Sequence, residues 1–188
     1  QQKASNILSF SPKRTMTTAQ KLYEQGFITY MRTDSRTYSK EFIGKAKKFI
    51  KDKWSSKYVN DNIDALSLRN GAKKNTKKNT KKNTKDDTAQ EAHEAIRPTD
   101  VTREKLSSNI DPSQQRLYDL IWSNTVESCM APAEYNLLSA KITAPEKYWY
   151  KYSEELITFP GWLIVRGYEK KNSIYDWMLK SEQNKIVK

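Results

Sequence analysis

Residues 73–84 read Lys-Lys-Asn-Thr three times over, and no hydrophobic core can be built from such a stretch. From Asn70 to Lys85 the only apolar side chain is Ala72. A segment that buries so little cannot offset the entropy lost on ordering. A disordered loop is therefore expected over about residues 71–87. The loop splits the 188-residue chain into two stretches that must supply the folded structure, and any site uniting them has to bridge it.

Before the loop, Ser11 followed by Pro12 is a helix start: the hydroxyl caps and the ring pre-sets the first helical dihedral. Met16, Ala19, Leu22 and Tyr23 recur at helical spacing, and Gly26 supplies the stop. A second helix follows Ser39, with Phe42, Ala46, Phe49 and Ile50 on one stripe. Between them, Phe27 to Met31 is short and β-prone, and Arg32 to Thr37 is a polar loop. After the repeat, Gln90 to Arg97 is predicted to be helical, ended by Pro98. A longer helix begins at Asp111-Pro112 and runs through Leu117, Leu120, Ile121 and Val126. From Tyr135 the texture changes to short, partly alternating runs that include Leu137, Ile142, Tyr148, Tyr150, Tyr152, Leu156, Leu163 and Val165. Pro145 and Pro160-Gly161 punctuate these runs, so they read as antiparallel strands. The expectation is an α+β chain, with a helical module over 1–134 and a β segment over 135–188.

The charge is lopsided. Residues 1–70 carry 14 Lys/Arg against 6 Asp/Glu, residues 71–85 add seven lysines and no acid, and residues 86–188 hold 13 Lys/Arg against 16 Asp/Glu. The positive field belongs to the first half. Such an asymmetry suits a polyanionic partner, nucleic acid above all, and equally suits a solvated surface. The single Cys129 excludes an internal disulfide framework and fits a reducing compartment. No apolar run approaches membrane-spanning length. The opening Gln1-Gln2-Lys3-Ala4 does not read as a signal peptide and is expected to be the cut edge of a larger protein.

Two segments could carry chemistry. In Gly26 to Ser35, a tyrosine on a short apolar strand opens into a charged loop. Tyr30 and Arg32 are two apart, so a strand would point them the same way. A phenol with an ordinary pKa near ~10 is a poor nucleophile. A guanidinium beside it favours the phenolate and can also grip a phosphate with paired hydrogen bonds. On spacing alone, a core tyrosine beside a surface arginine explains the same pattern. The second segment is Ala92 to Thr99. It holds His93, the only histidine, and Arg97 four positions on, where a helix would set both on one face. Together they could hold a phosphate, and a histidine can move a proton; a helix-end histidine without a task is the plainer reading.

Phe10-Ser11-Pro12-Lys13-Arg14-Thr15-Met16, Ala19 to Glu24 and Phe27 to Ser35 together resemble the active-site region of type IA DNA topoisomerases. His93-Glu94-Ala95-Ile96-Arg97-Pro98-Thr99 resembles that family's second signature, in the same order. Met31 and Arg97 are similar to the bacterial topoisomerase I branch. The resemblance covers residues 1–135 well, the β segment only in texture, and the repeat departs from it. It implies a winged-helix, catabolite-activator-like tyrosine domain followed by part of the β-rich gate domain. It implies an ATP-independent enzyme that cuts one DNA strand, holds the 5′ end as a phosphotyrosine, passes a strand and reseals, relaxing negative supercoils. Tyr30 is then the nucleophile, Arg32 contacts the scissile phosphate, and His93 helps position DNA. Thr33, Asp34, Ser35, Lys13 and Arg97 organise the site or bind DNA. The partners implied are DNA, single-stranded where it is cut, and the remaining domains of the same enzyme, within an intracellular compartment and away from membranes. Mg²⁺ is expected to sit in a separate domain, since no Asp-x-Asp-x-Glu occurs here and no metal ligand set is assigned to this chain. The competing readings are a non-catalytic nucleic-acid-binding winged-helix module and a tyrosine recombinase. The latter normally has its tyrosine after its arginines and histidine, the reverse of the order here.

Overall fold

The computed structural model describes residues 1–67 and 94–168. The repeat and His93 lie outside the described residues. The chain divides into two compact units, Gln1–Ala131 and Pro132–Lys188.

The first unit is helical. It contains α1 (Gln2–Leu8), α2 (Pro12–Glu24), α3 (Lys40–Lys53) and α4 (Pro112–Cys129). Three of the four start at the caps read from the sequence. Ser11 Oγ accepts the Arg14 N–H at 3.2 Å, Ser39 Oγ accepts the Phe42 N–H at 3.3 Å, and an Asp111 carboxylate oxygen accepts the Ser113 N–H at 2.7 Å. Each bond satisfies a first-turn donor that has no partner within the helix. The end of α2 is a Schellman turn. Gly26, at φ +74°, lets its own N–H reach the Tyr23 carbonyl at 2.8 Å and the Phe27 N–H reach that of Leu22 at 2.9 Å. Short α1 has no apolar stripe to reveal it in the sequence.

Helix α4 packs against α1, α2 and α3. It buries Leu117, Tyr118, Leu120, Trp122, Val126 and Cys129 against Phe10, Leu22, Phe42, Ile43, Ala46 and Ile50 of the same core. Buried polar tips are satisfied: the Trp122 indole N–H donates to the Val101 carbonyl at 2.8 Å, and the Tyr118 hydroxyl to that of Arg103 at 2.6 Å. These two bonds fasten the segment after Pro98 onto α4.

Two expectations about local structure fail here. Residues 94–97 are not helical. Their backbone groups bond instead to residues far away in sequence, and that tertiary pairing outweighs local helix propensity. Residues 27–31 do not form a strand of their own; a single bridge, Ile28 with Pro98, is all the β-structure they make.

The second unit is an antiparallel hairpin of β1 (Glu134–Thr143) and β2 (Trp149–Phe159). Pairs such as Leu137 with Glu155 and Ile142 with Tyr150 set its register. The connection turns through Glu146 and Lys147, both in the left-handed region at φ 61° and 66°. Leu163 and Val165, read as strand residues, instead lie in a 3₁₀ helix over Gly161–Arg166. Pro160-Gly161 turns the chain there, and Gly167 at φ +75° closes the helix. The chain is thus α+β.

Candidate active site

The two signature segments meet in the first unit. Gly26 to Tyr30 and Ala95 to Thr99 run antiparallel, side by side. The Thr29 N–H donates to the Arg97 carbonyl at 2.9 Å, and the Thr99 N–H to that of Phe27 at 3.0 Å. Side chains reinforce this ladder. Thr29 Oγ1 donates to the Ala95 carbonyl at 2.9 Å and accepts the Arg97 N–H at 3.0 Å. Thr99 Oγ1 donates to the Gly26 carbonyl at 2.7 Å. One more bond, from the Ala95 N–H to the Thr37 carbonyl at 2.8 Å, ties in the far end of the polar loop. Thr29 is therefore a hub that sequence reasoning missed; its only signal was membership of both a strand-like run and a signature.

Tyr30 emerges from this ladder. Ile28 and Met31 are buried at 1 % and 4 % exposure, whereas Tyr30 is 45 % exposed. Two buried anchors thus hold the backbone while the phenol stands out. Its ring meets that of Tyr23 edge-on, with centroids 5.2 Å apart and planes at 67°. Such a contact restrains the ring and leaves the hydroxyl without a hydrogen-bond partner among the described residues. Of the five tyrosines in Gln1–Ala131, Tyr38, Tyr58 and Tyr118 are buried. Burial raises the Tyr38 hydroxyl above its ordinary value and pushes Tyr118 to about 12, the opposite of what a nucleophile needs. Tyr23 and Tyr30 are the exposed pair.

The loop beyond Tyr30 is held by short polar side chains. Thr33 Oγ1 accepts the Ser35 N–H at 3.0 Å, Ser35 Oγ lies 3.2 Å from Thr37 Oγ1, and the Thr37 N–H donates to Ser35 Oγ at 3.3 Å. Arg32 and Asp34 are exposed, and neither makes a hydrogen bond or ion pair among the described residues. Arg32 is thus open to solvent, its five donors available.

Arg97 is differently placed. Its guanidinium lies 4.3 Å above the Phe42 ring, Nη1 donates to the Pro98 carbonyl at 3.0 Å, and Nη2 meets Glu94 Oε2 at 2.6 Å. The two side chains are only 13 % and 10 % exposed. The other Glu94 oxygen accepts the Ser39 N–H in front of α3. Residues 94–97 are not helical, and the expected pairing of Arg97 with His93 lies outside the described residues. Arg97 and Glu94 rivet the second signature to α3. Lys13 is exposed at the start of α2. Among the described residues, no group of three or more His, Cys, Asp and Glu could hold a metal ion. No described helix is long and apolar enough to cross a membrane.

The model of a known protein family, described as DNA topoisomerase, matches residues 1–188. The chain belongs to the DNA topoisomerase family. Among its relatives, DNA topoisomerase 1 of Pseudomonas aeruginosa is 37 % identical over 192 aligned residues, covering 100 % of this chain and 20 % of that protein. DNA topoisomerase 1 of Mycolicibacterium smegmatis is 42 % identical over 170 residues, covering 87 % of this chain and 16 % of that protein. Among solved structures, full-length topoisomerase I from Thermotoga maritima superposes with a TM-score of 0.66 at 28 % identity, covering 92 % of this chain and 26 % of that one. The chain spans about a fifth of the length of the topoisomerases it matches.

Proposed function

We propose that this chain is the tyrosine-bearing part of a type IA DNA topoisomerase and that Tyr30 cuts the DNA. The observation that carries the reading is the exposed Tyr30 phenol on a backbone braced by the second signature, in a chain of the DNA topoisomerase family. Tyr30 Oη attacks a backbone phosphorus and gives up its proton. The bond from phosphorus to the 3′ oxygen breaks, that oxygen takes a proton, and the 5′ phosphate stays on the tyrosine. One phosphodiester is exchanged for another, so reversal reseals the strand without ATP. Negative charge grows on the phosphate oxygens during attack, and a fixed guanidinium stabilises it; Arg32 takes that role. His93 joins as a DNA-positioning residue. Thr33, Ser35 and Asp34 shape the loop between Arg32 and Thr37, and Lys13 serves DNA binding. Arg97 organises the site from beneath, since its guanidinium is stacked on Phe42 and paired with Glu94.

In this reading the helical unit is the winged-helix tyrosine module and the hairpin is part of the gate domain. Mg²⁺ is held by residues outside those described, the DNA is single-stranded where it is cut, and the enzyme works inside the cell, away from membranes. The test is Tyr30→Phe in the full-length protein. Relaxation of negatively supercoiled DNA should be lost while the circular dichroism spectrum and thermal melt stay as in the wild type; normal relaxation by the variant refutes the assignment.

A further inference from the structure

Helix α2 has a second charged face, away from Tyr30. Lys13, Arg14, Thr17, Thr18 and Lys21 recur at three- and four-residue spacing and so share one side. Tyr23, which touches Tyr30, falls on the other side at 100° per residue. The charged side forms one wall of a cleft of about 400 Å³, and Asp111, Ser113 and Gln114 at the start of α4 form the facing wall.

Four features of the cleft point to an anion. First, three cations line it against one carboxylate, and that carboxylate is occupied in capping its own helix through the Ser113 N–H at 2.7 Å. Asp111 is held below its ordinary pKa first by its bonds from Ser113 and more weakly by Lys21; Lys13 has no ion pair among the described residues. Second, two of the three cations, Lys13 and Arg14, sit where a helix repels them. The first turn of α2 contains Lys13 and Arg14 and no acid, although the positive end of the helix dipole favours anions. Third, Arg14 is fixed in place: its guanidinium lies 4.2 Å over the Phe10 ring, and Nη2 donates to Ser113 Oγ at 2.7 Å. The remaining donors of its fork are left for a ligand. Fourth, Thr18 lines the cleft while only 6 % exposed, and its hydroxyl has no hydrogen-bond partner among the described residues. That hydroxyl is free to donate, and a bound anion would accept its hydrogen.

We propose that this cleft is a second phosphate site, holding a DNA backbone phosphodiester other than the one attacked by Tyr30. The identification of the anion as DNA rests on the topoisomerase reading above. Lys13 and Lys21 supply charge, Arg14 a forked donor, and Thr18 a hydroxyl donor. The site anchors a stretch of DNA on the far side of α2 from the cut.

The test measures binding of an oligothymidylate to the full-length protein by fluorescence anisotropy across a salt series. The double variant Lys13→Gln/Lys21→Gln should weaken binding at low salt and flatten the plot of log affinity against log salt by about 1 unit, as expected when a phosphate contact is lost. Thr18→Val, which changes no charge, should lower affinity several-fold with the slope kept. The comparison variant Lys40→Gln/Lys48→Gln removes two exposed lysines of α3 that lie outside the cleft, and should flatten the slope by less than half as much. Equal flattening by the two double variants, or wild-type affinity in Thr18→Val, overturns the site. Inorganic phosphate should compete with the oligothymidylate for the wild type more than for Lys13→Gln/Lys21→Gln; equal competition also overturns it. Covalent trapping of the oligonucleotide by the wild-type protein runs alongside. Without an adduct the Tyr30 reading falls; with an adduct but unaltered cleft variants, only the second site falls.

Discussion

Replacing Thr29 by Val tests the ladder beneath Tyr30, because valine keeps the shape and removes one oxygen. That oxygen donates to the Ala95 carbonyl at 2.9 Å and accepts the Arg97 N–H at 3.0 Å. Its 3.5 Å approach to the Arg97 carbonyl is too long to count. The substitution strands one acceptor and one donor. Each such group costs about 1–3 kcal/mol when buried. Thr29 is half-buried, so each falls near the lower end, for a loss of about 2–3 kcal/mol. The added methyl, itself half-buried, returns roughly 0.5 kcal/mol. The net expectation is a destabilisation of about 2 kcal/mol, read as a lower urea midpoint with the m-value unchanged. Thr29→Ser keeps the hydroxyl and should lose less than about 1 kcal/mol. In the full-length protein, Thr29→Val should also slow adduct formation, because the backbone carrying Tyr30 loses its brace. A destabilisation below about 0.5 kcal/mol, or a Thr29→Ser variant as unstable as Thr29→Val, would mean that the hydroxyl does not hold the two segments together.

Glu94→Ala should be worse for stability. It leaves the Arg97 guanidinium, only 13 % exposed, without its counter-charge and frees the Ser39 N–H, for a cost of about 3 kcal/mol or more in urea unfolding. Alkaline stability should report Tyr118. Its hydroxyl is raised by burial from an ordinary 10 to about 12, so above pH 10 the unfolded chain ionises first. Stability should then fall with rising pH at up to about 1.4 kcal/mol per pH unit between 10 and 12, and Tyr118→Phe should flatten that fall when measured by urea melts at successive pH values.

What the sequence disclosed was local. Ser11-Pro12, Ser39 and Asp111-Pro112 each announce a helix through an oxygen that caps and, in two cases, a ring that pre-sets a dihedral, and α2, α3 and α4 begin there. Gly26 likewise signalled the end of α2. The failure at residues 94–97 is non-local. Residues 94–97 have helical composition, but N–H and C=O groups of Ala95 and Arg97 are taken by Thr29 and Thr37, a pairing invisible to any window of a dozen residues. Leu163 and Val165 alternate as a strand would, yet Pro160-Gly161 starts a 3₁₀ helix in front of them. At the candidate site, Tyr30 and Arg32 were legible as a short motif. Thr29, Glu94 and Tyr23 were not, because their parts depend on partners that only the fold supplies. For Arg97, the stacking on Phe42 and the pairing with Glu94 were likewise not legible in the sequence.

The most direct test of the central claim is to locate the covalent bond. A single-stranded oligonucleotide is incubated with the full-length protein and Mg²⁺, the adduct is trapped by denaturation, and the nucleotide-bearing peptide is mapped by mass spectrometry. Tyr23 and Tyr30 stand in ring contact and are both exposed, so the measurement discriminates between real alternatives. The account predicts a 5′-phosphotyrosine on Tyr30, absent from Tyr30→Phe. An adduct on Tyr23, or one that persists at wild-type yield in Tyr30→Phe, would contradict it.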